Sequence, residues 1–468
     1  MGRRYNLWNI FVSLQRERVL QRITNNNRNL MIMKKVFFLL ALLPQIAFCQ
    51  SSSVDAENVT IDGLKYFLFS DTHEACLVNE NTWSGELVIP SEVCHNGQTY
   101  AVKSISWLAF GNCTELTKVR IPKTIEGITH HVLSGEDVSG AVSPDCMNPF
   151  VGCSSLESIE VDEDNPIMKS IGGVLYSKDG TRLYSYPGGL KAESYTVPDI
   201  VTWIGEDAFA FNEYLVMVKL PETIEKLNTS FRHSTKLEQV ILPKNLTCLE
   251  AYMFSECPSL KSVEIPSGVK KISDSVFRNC SSLESIVLPE SVSFIGNYSF
   301  WNCTSLESIV IPASLSDISN GLFMGCTNLK SVTIPDGVTR VSLEAFQDCT
   351  SLKELDLPAS VTDIPGSSFK GCKFTNLIIR GNLGQHPIGR IFDGMDTSTT
   401  VYTLASQVNR LKTIYKGVVL PLEDYTSGIW LTTSSSDISS PVYDLQGCRL
   451  SKEPAHGVYI QNGRKRIK

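Results

Sequence analysis

Six cysteines recur at one interval: Cys257, Cys280, Cys303, Cys326, Cys349 and Cys372, each 23 residues after the last. Thiols can bind a metal, form disulfides or fill a core, and their spacing separates these uses. Zinc sites draw on Cys-x-x-Cys or Cys-x-x-His pairs, and no repeat supplies either. Disulfides are not excluded by distance, since stacked strands lie ~4.8 Å apart, within the tolerated Cα range. However, side chains at one repeat position all point inward rather than toward each other. The six, together with Cys113 and Cys153 at the same position, are therefore read as small buried thiols. Cys76 and Cys94 lie off this ladder and are the best disulfide candidates.

Other chemistry-bearing residues are sparse. His130 and His131 lie near Glu136, Asp137 and Asp145 and could contribute to a loop metal site, but a solvated loop is the better reading. Asp162-Glu163-Asp164 could hold calcium, yet its spacing is not that of an EF-hand, and a solvated acidic turn is favoured. No G-x-S-x-G, H-E-x-x-H or G-x-x-x-x-G-K-[ST] occurs. No catalytic residue, metal or cofactor is assigned. An enzyme seated in 382–468, a short stretch whose histidines are His386 and His456, is the weakest reading.

The elements that carry the thiols are equally periodic. Phe254, Phe277, Phe300, Phe323, Phe346 and Phe369 each stand three residues before a ladder cysteine. Leu242-Pro243, Ile265-Pro266, Leu288-Pro289, Ile311-Pro312, Ile334-Pro335 and Leu357-Pro358 form a third ladder. The unit is F-x-x-C-x-x-L-x-x-V/I-x-I/L-P. Such repetition predicts a solenoid of about 23 residues per coil, each coil burying its apolar face on its neighbours. Within a coil, Leu329, Val332 and Ile334 alternate inward as in a strand. The proline then ends pairing at the same place each time. The predicted coil is one short parallel β-strand with a short extended or helical return, and β-rich segments cap both ends.

Alternation also predicts an exposed strand face. The outward position before the proline ladder reads Lys219, Ile241, Glu264, Val287, Val310, Thr333 and Asp356. The outward position two residues earlier holds Ser262, Ser285, Ser308 and Ser331. A small apolar patch beside a serine row, with charges toward its ends, resembles an interface. Valines on a half-buried sheet are also ordinary, so these residues are the candidate binding site and nothing stronger.

Along the chain, 1–32 reads as an over-extended start, with translation beginning at Met33 or Met31. Segment 33–49 has the charged and apolar regions of a signal peptide and is too short to span a membrane. Cleavage before Gln50 is preferred over lipidation of Cys49, because Phe48 is too large for the position before a lipidated cysteine. Removing 1–49 discards eight basic side chains and one acid, taking the formal net charge from −7 to about −14. It also leaves an odd 13 of the 14 cysteines. An acidic mature chain disfavours nucleic acid as a partner. Segment 50–104 is a β-rich cap with a hairpin turn at Asn96-Gly97. The solenoid spans 105–380, interrupted by insertions within 123–149 and 162–198, the second read as a projecting hairpin. A C-terminal cap at 381–431 carries a helix near 405–415. A Ser/Thr-rich linker at 432–440 precedes a small β tail at 441–468.

The repeat resembles the BspA-type leucine-rich repeat of bacterial surface proteins over about 86–380. The segment Cys-Thr-Asn-Leu-Lys-Ser-Val-Thr-Ile-Pro at 326–335 matches that unit position by position. Two coils depart from it, with Phe211-Asn212 and His233-Ser234 where Gly/Asn-Cys is usual. The tail is similar to a truncated sorting segment, with Cys448 in place of the usual arginine. The resemblance implies a secreted or cell-surface, non-enzymatic adhesion protein. Its partner would be a host matrix protein or surface glycan, bound by the strand face or projecting loops. No integral membrane segment remains after signal removal, and a monomer is expected. The alternative is a scaffold or spacer with no ligand on its coils.

Overall fold

A computed structural model of the chain describes residues 56–425, apart from 79–81, 108, 130–147, 225 and 385–389. It also describes four short strands in the tail: Val442–Tyr443, Arg449–Leu450, Val458–Gln461 and Arg464–Ile467, which form one antiparallel sheet. The leader with Cys49, the residues His130, His131, Glu136, Asp137, Asp145, His386 and His456, and the linker lie outside the described residues.

Strands β1 (Ala56–Ile61), β2 (Leu64–Phe69) and β3 (Glu74–Leu77) form an antiparallel meander. Strand β4 (Ser84–Val88) leaves this sheet. The expected hairpin joins β5 (Glu92–His95) to β6 (Gln98–Ser106) through Asn96 and Gly97, with φ of 50° and 80°. Two positive φ angles give the turn whose twist matches its strands. The sheet order β1-β2-β3-β6-β5 places β6 between Cys76 on β3 and Cys94 on β5. Two strand spacings, ~9.6 Å, exceed a disulfide's reach. The two thiols are not a pair: both are free, Cys76 near Thr129 Oγ1 (3.6 Å) and Cys94 near Thr99 Oγ1 (3.4 Å).

The coils then build two ladders. In the first, β4 pairs in parallel with β7 (Glu115–Ile121). The second ladder starts where β6 pairs in parallel with β8 (Gly127–Thr129). Strand β9 (Ser158–Val161) extends the first. That column resumes through Ser194–Thr196, Met217–Lys219, Gln239–Ile241 and Ser262–Val263, then Ser308–Val310 and Ser331–Thr333, and finally Glu354–Leu357 and Asn376–Ile379. One coil lacks its strand: 284–288 is held by single bonds, Glu284 N to Lys261 O and Glu307 N to Glu284 O, both 3.3 Å. The return pieces pair too, as Cys248–Leu249, Lys271–Ile272 and Phe294–Ile295 show.

The insertion at 162–198 is not a projecting hairpin. Strands β10 (Met168–Ile171), β11 (Val174–Ser177) and β12 (Arg182–Ser185) form a meander, and β12 pairs in parallel with Trp203–Ile204 of the return ladder. Its side chains explain why. Val174, Tyr176 and Leu183 enter the large core of the later coils. Met168, Leu175 and Tyr184 enter the core of the earlier ones. A strand apolar on both faces is buried between layers rather than extended into water.

Each coil's phenylalanine is fully buried, and from Phe209 to Phe369 the rings stack 5.1–6.3 Å apart with planes within 10–25°. The ladder cysteines are buried and free. They are more than filler. From Cys257 to Cys372, each Sγ lies 2.9–3.1 Å from the carbonyl of the preceding coil's phenylalanine and donates to it. Ser234 makes the same bond to Phe209 O with its hydroxyl, at 2.9 Å. The residue before this position is left-handed in coil after coil, at Glu256, Asn279, Asn302, Gly325 and Asp348.

Past Arg380 the sequence pattern fades but the ladder continues. Thr400–Thr403 and Val418–Pro421 extend the last parallel sheet. The helix α1 (Ala405–Lys412) replaces the turn between them. Its buried Gln407 accepts from Leu383 N and donates to Gly381 O, each at 2.9 Å. A helical return needs no F-x-x-C turn, so the motif disappears while the stacking persists.

Candidate functional site

All ten candidate residues face solvent: Ile241, Glu264, Val287, Val310, Thr333 and Asp356, with Ser262, Ser285, Ser308 and Ser331. Their inward neighbours Val240, Val263, Ile286, Ile309 and Leu355 are buried. Alternation on short strands, held by the ladder, thus separates the two sets. Val287 is 73% exposed, Val310 61% and Ile241 40%. Register sets Ser308 opposite Ser331 and Val310 opposite Thr333. In the preceding sheet Gln239 stands opposite Ser262 and Lys219 opposite Ile241. Ser285 and Val287 belong to the coil without a strand, so they carry the pattern without ladder pairing.

Asp356 is not a free carboxylate. Arg380, one coil on, grips it with both arms, Nε to Oδ1 at 2.6 Å and a terminal nitrogen to Oδ2 at 2.8 Å. These bonds raise the Arg380 pKa. Next to this pair the face is closed by the chain itself. Tyr425 donates to Glu354 Oε1 (2.9 Å), and its ring lies 4.9 Å from that of Tyr402. Glu354 and Tyr402 flank Asn376–Ile379, so Tyr425 lies across that strand. Ile378, at an outward position on that strand, is 0% exposed. Sequence reasoning missed Ile378, Arg380 and Tyr425. The available signal was an isoleucine in the outward column where neighbouring coils place Asp356 and Thr333.

The acidic turn is a local structure: Asp162 Oδ1 accepts from Asp164 N at 2.9 Å. Among the described residues, no group of three or more His, Cys, Asp or Glu is placed to hold a metal ion. Nor is any described helix long and apolar enough to cross a membrane.

The alignment of a family model decides the lineage: six copies of the BspA type leucine-rich repeat region match residues 98–178, 182–304 and 270–389. The chain belongs to the BspA-type leucine-rich repeat family. The solved structure of a leucine-rich repeat protein from Bacteroides ovatus is similar, at 22% identity and a TM-score of 0.39, over 74% of this chain and 99% of that one. A leucine-rich cell surface protein from Faecalibacterium prausnitzii is similar at 22% identity and a TM-score of 0.38, over 68% and 95%. The pneumococcal vaccine antigen PcpA is similar at 14% identity and a TM-score of 0.33, over 78% and 98%. A comparison with curated proteins finds no match. Within the BspA-type frame, the departures at Phe211 and His233 are accommodated by stacking. Both are left-handed, at φ of 59° and 60°, and their rings lie 4.6 Å apart and nearly parallel. Arg232 covers Phe211 at 4.9 Å while pairing with buried Asp207 (terminal nitrogen to Oδ2, 2.6 Å).

Proposed function

We propose that this chain is an exported, cell-surface repeat protein that adheres to a macromolecule, a host matrix protein or surface glycan, through the strand face from Ile241 to Thr333. One observation carries the reading. Val287 and Val310 stand exposed beside a serine row, while the equivalent outward Ile378 is buried on the strand that Tyr425 spans. A face that accepts Tyr425 in one part and lies open in the next suits a partner bearing comparable aromatic or aliphatic anchors. The protein acts as a monomer and performs no catalysis. Glu264 and Lys219 lie near the patch and would bias partner charge and association rate more than affinity.

The test is saturable binding of the full chain to an array of purified matrix proteins and glycans. Capture by at least one supports adhesion. Silence across the array favours the scaffold reading, in which the coils only space the end segments. That alternative draws support from exposed charges paired between coils, such as Lys261 with Glu238 (2.7 Å) and Lys330 with Glu307 (2.6 Å).

A further inference from the structure

A second surface lies at the turn that precedes each strand. A shallow groove of about 580 Å³ crosses four coils there. One wall is a ladder of left-handed residues, His233, Glu256, Asn279 and Asn302. Asn302 Nδ2 donates to Asn279 Oδ1 at 2.8 Å, and Asn279 Nδ2 donates to Glu256 Oε1 at 2.5 Å. Arg278 Nε lies 3.7 Å from the same Glu256 oxygen, close enough for charge attraction but not for a hydrogen bond. The other wall carries Thr235, Ser281 and Thr304. Ser281 and Thr304 each donate their hydroxyl proton to a carbonyl of the coil before, at 3.3 Å.

These bonds fix the side chains without using up their capacity. An amide has two N–H donors and two acceptor lone pairs, and a donating hydroxyl still accepts. The groove therefore presents preset donors and acceptors at intervals of about one coil, ~4.8 Å. It ends where the asparagine column gives way to Gly325. A Cβ there would come within 2.1 Å of Asn302 Oδ1.

We infer that this groove binds a short stretch of neutral oligosaccharide. The chemistry of the walls selects that class. Polyanions need clustered cations, and no Lys or Arg lines the groove, the nearby Arg278 being stacked over Trp301 at 4.3 Å. Peptide partners draw most of their energy from apolar anchors in pockets, and Pro258 is the one apolar residue lining the groove. Amides and hydroxyls at regular spacing match a chain of sugar hydroxyls. The site shares no residue with the strand-face patch and does not depend on it.

The test is titration of the full chain with soluble neutral oligosaccharides, namely cello-, xylo-, manno- and malto-series fragments, with a sulfated glycan as contrast. The Asn279→Gly/Asn302→Gly variant deletes the ladder at a repeat position where Gly325 and Gly371 already supply glycine in the same left-handed region. A second variant, Ser281→Ala/Thr304→Val, removes hydroxyls from the other wall. Saturable binding of at least one neutral series is expected, with each variant weakening it at least tenfold and Val287→Lys/Val310→Lys leaving it unchanged. The inference is overturned if no neutral series binds, if only the sulfated glycan binds, or if a folded variant of either wall binds as the natural chain does. Loss of binding in the strand-face variant would also overturn it.

Discussion

Cys303 Sγ donates a hydrogen bond to the carbonyl of Phe277, one coil earlier, at 3.1 Å. That carbonyl also accepts from Cys280 N at 3.1 Å, so both its lone pairs are used. The thiol therefore joins consecutive turns while filling the core between them. Ser234 shows that a hydroxyl can make the same bond, which sets up a direct comparison. Cys303→Ala should cost about 1 kcal/mol more than Cys303→Ser by urea unfolding. Equal losses would reduce the bond to a packing contact.

Burial pushes the ladder thiols up, to about 12 for Cys257 and Cys326. Few thiolates then exist near neutral pH, and thiolate is the reactive form. Labelling of the native chain should be slow at all six ladder positions and complete in denaturant. Mass evidence for a Cys280–Cys303 bridge would contradict the assignment.

Phe300 lies in the ring stack, 5.4 Å from Phe277 and 5.8 Å from Phe323. Phe300→Ala should cost about 3–5 kcal/mol, the usual result of emptying a buried aromatic site. Unfolding can begin at that coil, because each repeat is coupled only to its neighbours. Hydrogen exchange should show local protection lost around 277–323. A loss below about 1 kcal/mol would remove Phe300 from the core.

The Arg232–Asp207 pair is nearly buried, at 9% and 12% side-chain exposure. Asp207→Asn preserves the left-handed turn, since asparagine tolerates that conformation, but strips the guanidinium of its carboxylate. About 3–5 kcal/mol should be lost. Thermal melts of the single and double replacements would separate the pair from its surroundings.

His233 supplies a pH dependence. Burial, then the charges of Arg232 and Arg278, lower its pKa from 6.5 to about 4. Between those values the unfolded chain binds a proton that the folded chain refuses. Stability should therefore fall as pH drops from about 6.5 toward 4, by no more than about 3 kcal/mol. His233→Asn should flatten that part of the profile. An unchanged slope in this variant would assign the effect to other groups.

The repeat was legible because Phe, Cys and Pro each mark a fixed station in the coil. The outward column was legible for the same reason, with Val287 and Val310 exposed where alternation put them. Other features left weaker traces. Return strands such as Lys271–Ile272 and Phe294–Ile295 are two residues long, too short for alternation to register. Val174-Leu175-Tyr176 lies in the segment whose turn signals suggest a projecting hairpin, although an uninterrupted apolar run signals burial on both faces. The burial of Ile378 leaves little trace in the repeat, and Tyr425, which spans its strand, lies 47 positions further along the chain. Nothing periodic links the two.

The strand-face account is tested most directly by Val287→Lys/Val310→Lys. The two charges enter an exposed face while the buried Ile286, Leu288, Ile309 and Ile311 are left to hold the core. Stability should shift by no more than about half a kcal/mol. Affinity for a matrix protein captured on the array should fall at least tenfold, ~1.4 kcal/mol. Unchanged affinity in this folded variant would contradict the account and move adhesion away from the strand face.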